Sequence, residues 1–505
     1  SCRAVREAVV ADNAIYGVTT GFGGLANVRV SREEARGLQE GLFKFMNAGA
    51  GGFLPRDDVR AAMLFRCNSH LHGASGVRFE IIERVVAFLN AGAVPRVREF
   101  GSIGASGDLA PLAQIMGAVT GLAPHVDVEV GDDGEVAGCL EVLKQLGLEP
   151  LALEPKEGLA MVNGTSVMTG IAANCLHDFR RLLRLALGAH ALFFQALRGT
   201  NQSFHPFIHQ HKPHPGQRRV AEAMLGLLRG SHLSRDELGG EHADRGQQPI
   251  QDRYSLRCLA QYLGPVVDWM ESAWAQVETE MNCANDNPLI DPESGQSFHG
   301  GNFFGMYVAV AMDQLRYFLG LVVKHLDVQI ALLMAPEFSN GLAPSLIGNT
   351  ARRTNMGLKG LQITGNSLTP LLTFLGASVA DRFPTHAEQF NQNINSQGFN
   401  SANLARQALV IARHHVAISL LAGLQAVDLR CHALLGTYDA ADGLSKGTAA
   451  LYRALKSVLG RAPSRDRPYV WDDHDQVLEE DIERVARAIA DDGGRLIASL
   501  EDVGL

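Results

Sequence analysis

Along this chain Leu, Ala and Met return every three or four positions over several long stretches and outnumber the β-branched residues there. That spacing predicts long helices over 165–197, 259–280, 303–334 and 402–429, separated by polar loops carrying Gly, Asn and Pro. Several of these helices are apolar around most of their circumference, as expected inside a bundle or at contacts between copies, so homo-oligomerisation is expected. Before residue 161 the pattern is broken up, with shorter helical runs at 56–67 and 78–89 among glycine-rich loops at 16–24 and 48–52. Strand-like alternation is limited to pieces such as 126–130, and no repeat of solenoid period occurs. The expected class is mainly α, with a smaller irregular region over 1–160 followed by a bundle of long helices over 161–505.

Composition narrows the class of partner. A chain of 505 residues would give about three domains by length alone, yet no Pro/Ser/Gly linker divides it, so one large architecture stays open. The net charge of -9 comes without any basic block, which argues against a nucleic-acid surface and for small-molecule partners. Within 303–334 the apolar run is interrupted by Asp313, Arg316, Lys324, His325 and Asp327, charges costly in a bilayer, and no membrane span is expected. The seven cysteines are odd in number, scattered and free of C-x-x-C pairs, which fits reduced thiols in a cytoplasm. The first residues, Ser-Cys-Arg-Ala-Val-Arg-Glu, show neither an initiator Met nor a signal-peptide pattern and read as the middle of a helix.

Candidate chemistry lies in the loops. Gly101-Ser-Ile-Gly-Ala-Ser-Gly-Asp-Leu-Ala-Pro-Leu packs small residues before a helix start, with Asp108 and Pro111 suited to its first turn. A phosphate cradle would want Rossmann spacing or a Lys-Ser/Thr ending, and neither is present. On local composition alone a helix-capping loop is the commoner reading. Tyr16-Gly-Val-Thr-Thr-Gly-Phe-Gly-Gly could be a mobile surface loop, Asn163 a cap for the helix beginning near Thr165, and Tyr254 with Arg257 a surface pair on one helical turn. His205, His209, His211 and His214 match no zinc spacing and have no cysteine partners, so no metal is expected.

Taken together and in order, these segments resemble the aromatic amino acid lyase family. The matches run from the Tyr16 loop through Ala105-Ser106-Gly107, the 158–166 segment, Ile250-Gln-Asp-Arg-Tyr-Ser-Leu-Arg-Cys, Asn285-Asp-Asn-Pro, His299-Gly-Gly-Asn-Phe, Asn355-Met-Gly-Leu-Lys-Gly and His386-Ala-Glu-Gln-Phe-Asn-Gln to Asp466-Arg-Pro-Tyr-Val-Trp. The resemblance is nearest to the bacterial, phenylalanine-directed branch, because no extra C-terminal shielding insertion like that of the plant members is apparent. It implies an elongated helical bundle assembled as a homotetramer, each active site drawing on three chains. It also implies that Ala105, Ser106 and Gly107 convert themselves into 4-methylidene-imidazol-5-one (MIO), so that no external cofactor is needed. Tyr16 would be the general base on a lid, with a phenol pKa well below its usual value of about 10. Tyr254 would shuttle the proton on the amine side. Arg257 would bind the substrate carboxylate with help from Asn287. Asn163 and Tyr254 would lie beside the MIO, Glu388 and Gln392 near the amino group and the MIO, Gln251 would be an active-site hydrogen-bonding residue, Lys359 and Leu109 would be substrate-binding residues, and Phe303 would line the pocket.

The family reads the aromatic ring with two adjacent residues, here Phe45 and Met46. Phenylalanine-directed members resemble Phe-Leu, tyrosine-preferring members place a His there, and histidine-directed members carry Ser-His. An apolar pair would leave a hydroxyl or imidazole unpaired, so the expected reaction is elimination of ammonia from L-phenylalanine to give trans-cinnamate. Met46 departs from the usual Leu, and its flexible, similar volume is expected to widen tolerance for ring substituents. The alternatives are a phenylalanine 2,3-aminomutase, a tyrosine or histidine ammonia-lyase, and a non-catalytic helical scaffold.

Overall fold

The long helical stretches expected from the periodicity form: Ser166–Ala196, Leu259–Met281 and Met306–Met334 have ends within three residues of those expected, and the last, Gly398–Leu435, extends further at both ends than the expected 402–429. The runs at 56–67 and 78–89 become Arg56–Leu71 and Phe79–Asn90. The computed structural model describes residues 1–131, 133–238, 250–382 and 386–504. Helices also form where the pattern gave no clear signal, among them Arg32–Phe45, Pro215–Leu228, Lys359–Leu375 and Lys446–Val458. Lys359–Leu375 carries Pro370 in its interior together with Gly, Asn and three Thr, residues of low helix propensity, so packing rather than local preference holds it.

The chain packs as two compact units. The first comprises Ser1–Leu176, Ala273–Leu315 and Ser378–Arg406, and it holds all the strands. These make small antiparallel sheets: Ala50–Phe53 with Arg98–Phe100, Val94–Pro95 with Asp127–Val130 and Glu135–Gly138, and Leu289–Ile290 with Ser297–Phe298. At its centre the helix Leu109–Thr120 is buried from Ala110 to Thr120 and ends on Gly121 in the left-handed conformation. Arg32–Phe45 opens on a reciprocal cap, in which Ser31 Oγ accepts the Glu34 N–H and the Glu34 carboxylate accepts the Ser31 N–H. Its C-terminal turn delivers Phe45 and Met46.

The second unit comprises His177–Ser272, Arg316–Ala377 and Gln407–Leu505. Its interior includes a buried Lys456–Asp428 ion pair (3.1 Å), with Asp428 also accepting the Tyr469 N–H at 2.7 Å. Met306–Met334 and Gly398–Leu435 are long and apolar enough to cross a membrane by length and composition, and 50% and 78% of their most apolar windows are buried within the protein.

Candidate active site

The loop ahead of Leu109–Thr120 is held from several sides. Ser102 Oγ accepts the Gly104 N–H (3.1 Å) and lies 3.2 Å from the Gly107 carbonyl. The Gly104 carbonyl accepts from Ser396 N (3.2 Å) and Oγ (3.0 Å). Gly107 has φ of +70°, and a Cβ there would overlap the Gly164 carbonyl, so glycine is required on two counts. The Asp108 N–H donates to that same carbonyl at 2.7 Å. Ser106 is contacted by two side-chain amides: Asn163 Nδ2 donates to its carbonyl (2.8 Å) and Gln392 Nε2 to its hydroxyl (2.8 Å).

Two local readings of the sequence are corrected here. Asn163 does not cap the helix that follows it: its buried Oδ1 accepts no backbone N–H, and its Nδ2 donates to Ser106. Asp108 makes no side-chain bond to its own helix; its carboxylate accepts the N–H groups of Val167 (3.0 Å) and Met168 (2.8 Å), capping Ser166–Ala196 instead. Burial pushes the Asp108 carboxyl up to about 7, against the opposing pull of these N–H donors and the Ser102 hydroxyl.

Tyr16 stands at the mouth of the glycine loop, where its phenol oxygen accepts the Gly23 N–H at 2.8 Å and its own N–H meets His299 Nε2 at 3.4 Å. Burial raises its pKa, the Gly23 N–H lowers it and the nearby Glu388 carboxylate raises it, with a net upward shift. Within one chain, therefore, the phenol moves away from the lowered pKa that a general base requires, because burial and Glu388 outweigh the single N–H donor. Glu388 reaches this place on a short turn in which Glu388, Gln389 and Phe390 have φ of 51°, 54° and 67°, a conformation that L-residues adopt at a cost.

These groups face one cavity of about 450 Å³ in the first unit. Tyr16, Ser106, Asn163, Asn287, Glu388 and Gln392 form its polar part, while Phe45, Met46, Ala105, Leu109 and Phe303 contribute apolar wall. Gly107 is buried beside it. Eleven of the expected site residues thus line one cavity. Asn287 is fixed by accepting the Gly300 N–H at 2.7 Å, which leaves its amide N–H groups as donors. The sequence reading missed Phe22, Ala26, Leu42, Leu159, Phe304 and Ile394, which also contribute apolar wall. Leu42 lies one helical step before Phe45, and Phe304 follows Phe303, so both had a usable signal.

Gln251, Tyr254, Arg257 and Lys359 belong to the second unit and do not line this cavity. Tyr254 and Arg257 share one helical turn, with the guanidinium 4.4 Å from the ring centroid and Tyr254 73% exposed. His325 Nε2 and Gln329 Nε2 both donate to the Ser255 carbonyl at 2.6 Å, pinning that turn. Gln251 and Lys359 are exposed. The histidines near 210 make local hydrogen bonds: His205 accepts the Phe207 N–H, His209 contacts the Ser203 carbonyl and Gln217, and His211 the Phe207 carbonyl. Asp472, Asp473 and His474 cluster at metal-like spacing, but Arg352 pairs with both carboxylates.

The aromatic amino acid lyase family profile matches residues 1–457. A phenylalanine ammonia-lyase of Nostoc punctiforme is 58% identical over 503 residues, covering 100% of this chain and 88% of the relative. A phenylalanine aminomutase of Taxus chinensis is 41% identical, over 82% of this chain and 61% of its own. Among solved structures, Pantoea agglomerans phenylalanine aminomutase superimposes with a TM-score of 0.86 at 31% identity, covering 98% of this chain and 93% of that one. By the family profile and these relatives the chain belongs to the aromatic amino acid lyase family and is a carbon–nitrogen lyase.

Proposed function

We propose that the chain is a phenylalanine ammonia-lyase that releases ammonia from L-phenylalanine to give trans-cinnamate, working as a homotetramer with sites shared between copies. The observation that carries the substrate is the apolar part of the cavity lining, which includes Phe45 and Met46 with Leu42, Leu109 and Leu159. A tyrosine hydroxyl or an imidazole buried there would lack a partner, at a cost of about 1–3 kcal/mol. The relative named a phenylalanine ammonia-lyase supports the same reading.

The tripeptide suits conversion to MIO. Gly107 occupies the left-handed region with no room for a side chain, the Gln392 amide donates to the hydroxyl that must leave, and the buried Asn163 Oδ1 has no hydrogen-bond partner of its own. Once formed, the group supplies an electrophilic methylene for the substrate amine. The chain's own residues do the rest, and no metal enters the reading. Tyr16 removes the benzylic proton, with the Gly23 N–H in place to stabilise the phenolate. Glu388 faces the amino group, and Asn287 donates to the carboxylate. Arg257 from another copy holds that carboxylate bidentately, and Gln251, Tyr254 and Lys359 arrive likewise from other copies, Tyr254 moving the proton on the amine side. All seven cysteines are free thiols, which suits the reducing cytoplasm as the place of work.

Aminomutases among the relatives and structural neighbours favour one second reading, a phenylalanine 2,3-aminomutase. Incubation with L-phenylalanine, L-tyrosine and L-histidine separately, following arylacrylate by absorbance and β-amino acid by chromatography, tests both. Cinnamate without β-phenylalanine is the expected result. Substantial β-phenylalanine makes the protein a mutase, and turnover of tyrosine or histidine alone overturns the assignment of Phe45 and Met46. Loss of both activity and near-UV absorbance in Ser106→Ala is expected.

A further inference from the structure

Behind the Ala-Ser-Gly turn lies a guanidinium that takes no part in the reaction described above. Arg66, in the helix Arg56–Leu71, is fully buried. Among the described residues its hydrogen-bond partners are all neutral: the Asn163 carbonyl (3.0 Å), Asn285 Oδ1 (3.1 Å), His70 Nε2 (3.2 Å) and Ser69 Oγ (3.2 Å). The Asp286 carboxylate nearby is already taken by Lys156 (2.7 Å) and the Ser75 hydroxyl (3.0 Å). A buried charge without a directly bonded counter-charge weakens a fold relative to a well-packed neutral residue, so stability alone is a poor reason for it.

Its position is informative. The NH1 that binds the Asn163 carbonyl lies against Gly164 so closely that a Cβ on Gly164 would overlap it, and Gly164 in turn lies against Gly107 so closely that a Cβ there would overlap the Gly164 carbonyl. Guanidinium, Gly164 and Gly107 thus form a stack with no room for a side chain between its layers. The peptide that Arg66 grips joins the two residues to which the turn is tied, Asn163 through its side-chain amide on Ser106 and Gly164 through its carbonyl on the Asp108 N–H.

We infer that Arg66 is a positioning residue for cyclisation of the turn: it clamps the 163–164 peptide so that residues 105–107 are held in the compact form from which the ring closes. The inference rests on the reading that MIO forms here. In that closure the Gly107 nitrogen bonds to the Ala105 carbonyl carbon. That oxygen leaves as water with the Gly107 and Ser106 amide hydrogens, and the Ser106 hydroxyl leaves as a second water with the Cα hydrogen. No oxidant or reductant is needed.

The test is intact-mass spectrometry with near-UV absorbance on the purified full chain, alongside circular dichroism. Wild type is expected to be lighter by two waters. Folded Arg66→Met and Arg66→Lys are expected to retain both waters and to lack the absorbance, because neither can make the fork of bonds to Asn163, Asn285 and Ser69. If Arg66 is only structural, the variants lose thermal stability while their folded fraction cyclises like wild type, and that result overturns the inference. Should neither variant fold, Ser69→Ala, which removes one bond from the fork, is expected to lose water several-fold more slowly after cell-free synthesis; an unchanged rate overturns it. A wild-type chain that keeps both waters overturns the underlying reading of the turn, an outcome distinct from normal cyclisation in the variants.

Discussion

Tyr16 is subject to opposing influences, and their balance sets when it can act. Burial and Glu388 favour the neutral phenol, while the Gly23 N–H favours the phenolate. As the proposed base Tyr16 must be deprotonated, so activity is expected to rise as pH passes upward through its pKa. Replacing Glu388 by Gln removes a charge that raises this pKa, so the rising limb of kcat/KM is expected to move to lower pH even as the loss of Glu388 lowers the maximum rate. A pH–rate profile that stays in place or moves upward would show that Glu388 does not act on the phenol. At the ring end, Phe45→His gives a phenol its missing partner and is expected to raise the tyrosine-to-phenylalanine ratio of kcat/KM roughly tenfold or more. Steady-state kinetics with both substrates decides it.

The element scale explains what could be read from sequence and what could not. The long helices were legible because their apolar spacing is repeated many times, whereas Lys359–Leu375, with Pro370, Gly and Thr, carries too weak a pattern to stand out. Ser106 and Gly107 were legible through an ordered series of motifs. Asn163 and Asp108 were only half so: a polar residue beside a helix start looks the same whether it caps that helix or reaches across to another chain segment, as both do. Arg66 gave no signal, since an arginine in a helix usually reads as a solvent-facing residue, and only the packed structure shows it buried. The cap on Arg32–Phe45 belongs to this scale as well. Ser31→Ala is expected to lower stability by about 1 kcal/mol in urea unfolding. It is also expected to leave KM and kcat unchanged, because about 20 Å of helix separates the cap from Phe45. A change in KM would mean that the helix transmits strain to the cavity.

For the molecule as a whole, the exposed Tyr254–Arg257 turn and the cavity of the other unit are the two halves that the proposed tetramer must join. If they meet only between copies, Tyr16→Phe and Arg257→Lys chains, each nearly inactive, are expected to regain about a quarter of wild-type activity when co-expressed in equal amounts, the share of sites free of both substitutions when each comes from a different chain. Mixed assemblies that stay inactive would place both residues of each site on one chain.

The ties around the Ala-Ser-Gly turn have one more consequence, for the timing of synthesis. Gln392 lies 286 positions beyond the Ser106 hydroxyl it contacts, and the Ser396 hydroxyl binds the Gly104 carbonyl across 292 positions. A ribosome has therefore to translate 292 codons beyond Gly104 before the turn gains these neighbours. If closure depends on them, a prematurely terminated chain would carry an unmodified serine, and the missing mass of two waters would date each molecule as one whose translation had passed that point.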